Sequence, residues 1–310
     1  MMDIVTLTLN PTIDVAYSLD HLVHTDKLRA VSQQCDPGGG GINVARVFVR
    51  MGGFARCIYM SGGSTGIALD ALLDLHQLVR VRISIQGETR ISATVFEEAY
   101  GRTYRVVPDG PNLCEEEGQA CLDRLSAIDC DYLVMSGSLP RGLPVDFYAN
   151  VAAQAQQRGI RTVLDSSGDP LKAAIDYGSI ELVKPNLKEF QELVGEKITD
   201  PTDIGEAAQE IVRKGGARLI AVSLAEHGAI LASAEKVTRC KAPAVEAASS
   251  VGAGDSCVAA MVHGLAAGRT DQDAFRLGIA AGAAAVLTPG TDLARADDID
   301  LLYSQMSMSS

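Results

Sequence analysis

The sequence predicts an α/β chain: a mostly parallel sheet flanked by helices on both faces, with a small antiparallel β lid. Three observations carry that prediction. Short apolar runs alternate with helical periodicity through the last two-thirds of the 310 residues. Glycine-rich segments at 38–41 and 252–254 stand directly ahead of helical patterns. Two stretches, at about 15–34 and 84–107, break the alternation and read as extended strands with hairpin turns.

Taken in order, residues 3–9 alternate like a strand, and Asn10-Pro11 ends it. A helix begins near Ile42, repeats its apolar positions at Ala45 and Val49, and stops at Gly52-Gly53. Strands are expected at 132–136, 161–165 and 180–184, with helices at 145–158 and from about Leu187. A helix at 203–214 precedes strands at 218–223 and 228–232, and helices follow at 254–267 and 271–287. In the second lid stretch Ile91, Ala93 and Val95 alternate with Ser92 and Thr94, and Tyr100-Gly101 supplies the turn. That apolar face needs a cover, and a second copy of the chain is the expected one, giving a homodimer through the lid. The polar tail, 304–310, is expected to fray. No repeat or low-complexity linker divides the chain, so one domain, 1–310, carries both lid insertions.

Twenty-seven basic against 39 acidic side chains leave a formal charge of −12. Such a surface repels nucleic acid and anionic membrane, so neither is expected as a partner. A phosphate ligand would have to be met by a few locally placed arginines or lysines. The seven cysteines form no CxxC pair and fit no metal-finger spacing. With no signal-peptide pattern and no run of about 18 apolar residues, a reduced cytoplasmic chain is expected.

Chemistry concentrates in three segments. Asp36-Pro37-Gly38-Gly39-Gly40-Gly41-Ile42-Asn43 brings backbone amides close to a ligand ahead of a helix N-terminus, which favours negative charge. Its spacing fails the GxGxxG dinucleotide fingerprint, which argues against a nicotinamide oxidoreductase, and the P-loop pattern is absent. Ser249-Ser250-Val251-Gly252-Ala253-Gly254-Asp255-Ser256 opens a small-residue helix with amides free for an anion. Asp255 can cap that helix or act as a general base; the glycines at the anion turn favour the base. Lys184-Pro185-Asn186 with Glu189 follows a strand. Asn186 and Glu189 suit a hydrated Mg²⁺ that Asp165 could share, and equally suit a capping box.

These segments together resemble the PfkB family of carbohydrate kinases, whose fold is ribokinase-like, and the resemblance covers nearly the whole chain. GAGDS around Asp255 and GGGGIN at 38–43 carry it. Ser136-Gly137-Ser138-Leu139-Pro140, Thr6-Leu7-Thr8-Leu9 with Asp14, and Val183-Lys184-Pro185-Asn186 narrow it to the phosphofructokinase branch. The resemblance implies that Asp14, Gly39, Gly40 and Asn43 hold sugar hydroxyls, with Ser138 a further sugar-side candidate. Arg90 and Arg105 would hold the sugar phosphate, helped by Lys27 reaching in from a neighbouring subunit. ATP would lie along Lys184, Asn186 and the loop from Ser223 to Gly228. Its phosphates would meet the Gly252, Ala253 and Gly254 amides, and Asp255 would take the proton. Mg²⁺ would accompany ATP, and backbone carbonyls at Val251 and at Ala285 and Gly290 would hold a monovalent cation such as K⁺.

The implied reaction is ATP-dependent phosphorylation of fructose 6-phosphate at its 1-hydroxyl to fructose 1,6-bisphosphate. The sibling activities are 1-phosphofructokinase and tagatose-6-phosphate kinase, which usually carry Lys in the glycine run where this chain has Gly. A nucleoside kinase would offer no phosphate to Arg90 and Arg105. A catalytically silent sugar-phosphate sensor on the same fold is opposed by the intact Asp255 and its glycines. Many family members have Asp-Thr ahead of GAGD, where this chain has Ser249-Ser250.

Overall fold

The computed structural model describes residues 3–76, 78–246, 248–288 and 290–307. Strand β1 (Asp3–Thr8) is buried from Ile4 onward because both its faces are covered. Ile4 belongs to one apolar core and Val5 and Leu7 to the other, the two-residue period of a central strand. From edge to edge the main sheet runs β13 (Val237–Cys240), β12 (Ala229–Ala232), β11 (Ala217–Ser223), β10 (Ile180–Val183), β9 (Arg161–Asp165), β8 (Tyr132–Ser136), β1, β4 (Phe54–Gly62) and β5 (Val79–Ile85). Every neighbouring pair from β11 to β5 is parallel, and β12 and β13 add an antiparallel edge.

Helices α1 (Gly40–Arg50), α2 (Gly63–Asp74), α8 (Ala253–Ala266), α9 (Asp271–Val286) and α10 (Ala296–Ser307) pack on one face. Helices α3 (Glu115–Ser126), α4 (Phe147–Gln157), α5 (Gly168–Tyr177), α6 (Leu187–Val194) and α7 (Pro201–Arg213) pack on the other. Helix α8 is buried almost all round, and small residues let α9 approach it: a Cβ on Gly278 would stand 2.4 Å from Met261 Cγ. Phe48 and Phe275 are fully buried in that core, so truncating either to Ala should cost about 3–5 kcal/mol. No helix among the described residues is long and apolar enough to cross a membrane.

The fold is the mostly parallel α/β sheet expected, covered by helices on both faces, with a second, four-stranded sheet as its lid. That sheet runs β3 (Ser32–Gly38), β2 (Thr12–Leu19), β6 (Arg90–Glu97) and β7 (Arg102–Val106). The β2–β3 and β6–β7 pairs are antiparallel, and a parallel β2–β6 pair joins them. The insertions differ in extent from 15–34 and 84–107. The first begins at Thr12 and reaches Gly38, so it ends in the glycine run itself. The second gives up residues 84 and 85, because Ile83 and Ile85 are buried in the main core as the end of β5. The tail also departs from expectation. Helix α10 continues to Ser307, with Leu302 buried against the core; residues 308–310 lie outside the described residues.

From β1 the chain builds outward through β4 and β5, then resumes at β8 on the other side of β1. Between β1 and β8 the winding direction reverses. In open parallel sheets ligands bind in the crevice this leaves at the carboxyl ends of the strands.

Candidate active site

The glycine run crosses that crevice at close range. Gly39 caps α1 with φ 112°, a left-handed conformation that glycine adopts without strain. A Cβ on Gly40 would lie 2.1 Å from Ser136 Oγ at the end of β8, and one on Gly38 would lie 2.1 Å from Asp14 Oδ2. Any side chain there would fill the space between the sheet and the lid. The run places Asn43 in the first turn of α1, where its Nδ2 donates to Asp255 Oδ2 at 2.9 Å.

Asp255 stands at the start of α8. Gly252 is the N-cap, in the left-handed region at φ 73°, with Leu293 Cδ2 2.2 Å from where a Cβ would be. No side chain caps this helix, so its first amides stay open and Asp255 is not used as a cap. Burial beside Asp165 pushes the Asp255 carboxyl up from 3.8 to about 7, against the opposing pull of Asn43 and Lys184. That is the range in which a carboxylate accepts a proton at neutral pH and can hand it on.

The cleft in front of Asp255 holds about 330 Å³. Asp14, Arg90 and Arg105 line it from the lid, with Gly39, Gly40 and Asn43 opposite. Ser138, Asp165, Glu189, Val251 and Gly252 also line it. Arg90 donates to the carbonyls of Pro108 (3.0 Å) and Asn10 (2.8 Å), which fixes its plane without neutralising it. Burial raises the Asp14 carboxyl, while Arg105 and Arg90 pull it back. Two cations and one hydrogen-bonding carboxylate at one end, with a proton acceptor at the other, suit a phosphorylated polyol. Lys27 does not join them: it is exposed in the segment between β2 and β3 and does not line the cleft of its own chain.

A second pocket, of about 840 Å³, opens on the far side of the α8 N-terminus. Lys184, Asn186, Ser223, Gly228, Ala253 and Gly254 border it, and Leu224, Ile279 and Val286 give it an apolar wall. The loop from β11 is tied to the segment after β10 by a bridge between Asn186 and Ser223 and by Ser223 N–H donating to Pro185 O at 3.0 Å. Lys184 is only 5% exposed and its Nζ lies 3.3 Å from Asp165 Oδ1. Burial opposes its charge, but Asp165, Glu189 and Asp255 outweigh burial and hold its pKa above the ordinary lysine value. The ammonium is therefore a permanent cation at the junction of the two pockets, 3.3 Å from where a Gly254 Cβ would be.

Asn186 and Glu189 form the capping box of α6: Glu189 N–H donates to Asn186 Oδ1 (3.0 Å), and Asn186 N–H to Glu189 Oε2 (2.8 Å). Only Oε2 of Glu189 is used there, and the residue also lines the cleft, so its other oxygen can serve a metal that nucleotide phosphates and water mostly surround. Among the described residues no three acidic, His or Cys side chains cluster as a closed metal site. Ala285 and Gly290 line neither pocket. Gly290 O accepts from Ser249 Oγ at 2.8 Å, whereas Ala285 O already accepts both the Thr288 hydroxyl at 2.7 Å and the Thr288 N–H at 3.2 Å. Pro289 lies outside the described residues.

Some site residues escaped the sequence reading. Ser92 and Thr12, bonded to each other at 3.0 Å on neighbouring lid strands, line the cleft, as do Ser166 and Ser167 after β9. Arg46 underlies Asn43, a relation legible in their three-residue spacing on one helix.

A helix start with free amides, shared by a cationic cleft and a larger, partly apolar pocket, is the arrangement a phosphotransferase would need. Comparison with known proteins names the class: the pfkB family carbohydrate kinase model matches residues 7–298, and the chain belongs to that family. It is 41% identical over 308 residues to the ATP-dependent 6-phosphofructokinase isozyme 2 of Escherichia coli K12, covering 99% of this chain and 100% of that protein. A tagatose-6-phosphate kinase of Staphylococcus epidermidis is 31% identical over 309 residues, covering 98% and 99%. Phosphofructokinase-2 from E. coli, solved in complex with fructose-6-phosphate, superimposes with a TM-score of 0.93 at 40% identity, covering 99% of this chain and 100% of that one. The same E. coli protein has been solved with potassium and in a tetrameric inhibited form.

Proposed function

We propose that this chain is an ATP-dependent sugar-phosphate kinase that phosphorylates fructose 6-phosphate at its 1-hydroxyl. The observation that carries the reading is the α8 N-terminus between two pockets, with Gly252 facing the arginine-lined cleft and Ala253 and Gly254 facing the other. Family membership and the 41%-identical E. coli isozyme support the choice of substrates.

In this reading Arg90 and Arg105 clamp the sugar phosphate, and Asp14, Asn43 and the Gly39–Gly40 backbone hold hydroxyls. Clamping one end turns the opposite hydroxyl toward Asp255, which accepts its proton as the oxygen attacks the terminal phosphorus of ATP. The Gly252–Gly254 amides and Lys184 stabilise the charge on the transferred group. Mg²⁺ travelling with ATP, near Glu189, Asn186 and Asp165, would supply further charge neutralisation. A K⁺ near Val251, Ala285 and Gly290 belongs to the same reading, and equal activity in K⁺ and in a bulky organic cation would remove it. A homodimer through the lid is part of it too, supported by exposed Val31, Ile91 and Val106 on the lid. Lys27 would then enter the neighbour's cleft. A cytoplasmic setting completes the picture.

The test is ADP release with fructose 6-phosphate, fructose 1-phosphate and tagatose 6-phosphate. The highest kcat/KM is expected for fructose 6-phosphate; a higher value for either rival would assign a sibling activity, and no turnover with any would leave a sensor.

A further inference from the structure

Beneath the cleft lies a charged residue that neither pocket uses. Arg46, on α1, is 3% exposed, and its Nε is buried without a hydrogen-bond partner. Its Nη1 donates to Pro37 O (3.1 Å) and to Asn43 Oδ1 (3.4 Å), and its Nη2 reaches Asp36 Oδ1 at 3.4 Å. Asp36, at the end of β3, is held by Gln34 Nε2 at 2.7 Å and by the hydroxyl of Thr291. Burying a guanidinium is expensive unless it is paired, and this one sits only one side chain from the proposed base.

The chemistry of the three groups admits one arrangement. An arginine can only donate, so the Asn43 atom facing Arg46 must be the oxygen. The Asn43 nitrogen is thereby turned toward Asp255, where it donates to Oδ2. With Asp255 ionised, the form that accepts a proton, a flipped amide would set its oxygen against the carboxylate and its NH₂ against the guanidinium, two repulsive contacts in place of two attractive ones. We propose that Arg46 is a positioning residue: anchored by Asp36 on the lid strand, it locks the Asn43 amide so that Asp255 Oδ2 is pinned and Oδ1 is left to take the substrate proton. Asp14, Arg50 and Asp292 are the other charges near Arg46, and Asp165, Lys184 and Asp14 those near Asp255. Asp14 is common to both sets and faces the cleft from the lid. The proposal rests on the reading of Asp255 as the proton acceptor.

A double-mutant cycle on the full-length enzyme tests it, with ATP and fructose 6-phosphate as substrates. Arg46→Met should lower kcat about 10–100-fold, the cost of a misplaced catalytic group, with KM for ATP within about twofold of the parent. Arg46→Lys, which keeps the charge and a donor, should recover most of that loss. In an Asn43→Ala background Arg46→Met should change kcat by less than about twofold, because the path through the amide is already cut. The same loss in both backgrounds, or a parent-like kcat in Arg46→Met, would overturn the proposal. If the single variant fails to fold, Asp36→Asn with Arg46→Met leaves no unpaired buried charge and takes its place in the cycle. Asp255→Asn in the same series separates the two ideas: parent-like turnover there would remove the proton acceptor itself, whatever Arg46 does.

Discussion

Replacing Asp255 with Asn should make the protein more stable and nearly inactive, both in the same pH range. Burial beside Asp165 raises this carboxyl from 3.8 to about 7, a shift of about three units. At 1.36 kcal/mol per unit that is about 4 kcal/mol as an upper bound, and water reaching the half-buried group from the cleft reduces it. The folded state holds this proton more tightly than the unfolded chain does, so the ionised group costs stability. The cost is absent below about pH 4, grows between 4 and 7, and is complete above 7. Asparagine has the same shape, stays neutral, and can accept the Asn43 bond through its own carbonyl. Urea unfolding of both proteins at pH 8.5, 7 and 5.5 should show the variant ahead by a few kcal/mol at the highest pH, with the gain shrinking as pH falls. Turnover at pH 8.5 should drop at least ~10²-fold, the usual contribution of a positioned base. A variant no more stable than the parent at pH 8.5, or a gain independent of pH, would refute the reasoning about burial. Turnover within a fewfold of the parent would refute the reasoning about the base.

The parent's kcat/KM should fall as pH drops below about 7, tenfold per unit, as Asp255 takes up its proton; a flat profile down to pH 5.5 would contradict this. Arg90→Ala and Arg105→Ala should each raise KM for the sugar phosphate and leave KM for ATP nearly unchanged, since a charge-assisted bond contributes roughly 1.5–3 kcal/mol. Gly252→Ala forces a methyl into left-handed backbone against Leu293, so thermal unfolding should show a loss of about 1–3 kcal/mol, with impaired turnover. Light scattering should give a dimer at micromolar concentration, and Ile91→Asp should shift it toward monomer; a fully active parent monomer would remove the lid interface.

The sequence exposed most of the framework wherever one signal dominated. Helix α1 behind the glycine run and α8 behind Gly252–Gly254 were legible because glycines and helical spacing agree there. Strands β8 and β9 were legible as short apolar runs between polar turns. Elements β4, α2, β5, α3, α5, β13 and α10 were not singled out. In α2 and β5 the periodicity is blurred: Ile67 is exposed on α2, and β5 carries Arg80 and Arg82 paired with Asp74 and Asp70. Edge strands on half-covered faces lose the clean apolar run of a central strand. The site was legible as segments but not as contacts. GAGD and GGGGIN mark the two ends of the cleft, yet nothing along the chain reports that Asn43 meets Asp255 across 212 residues. For the Asn186–Glu189 pair, sequence offered a metal ligand set and a helix cap together; the cap is formed, and the metal role rests on the oxygen it leaves over.

The seam inside the lid has a consequence for how the protein is made. Its two hairpins enter the chain far apart, and they meet only when Thr12 pairs with Arg90 and Leu19 with Glu97. Neither hairpin alone is a stable sheet in water. That seam can register only after β1, β4 and β5 have assembled and brought the insertion points together, because distant pairings carry the loop-closure cost of everything between them. The two arginines that arrive with the second hairpin, Arg90 and Arg105, and Asp14 on the first are thus brought together late, on a core already folded. A nascent or refolding chain would gain its hydrophobic layers first and the lid half of the cleft, where the proposed substrate clamp lies, last.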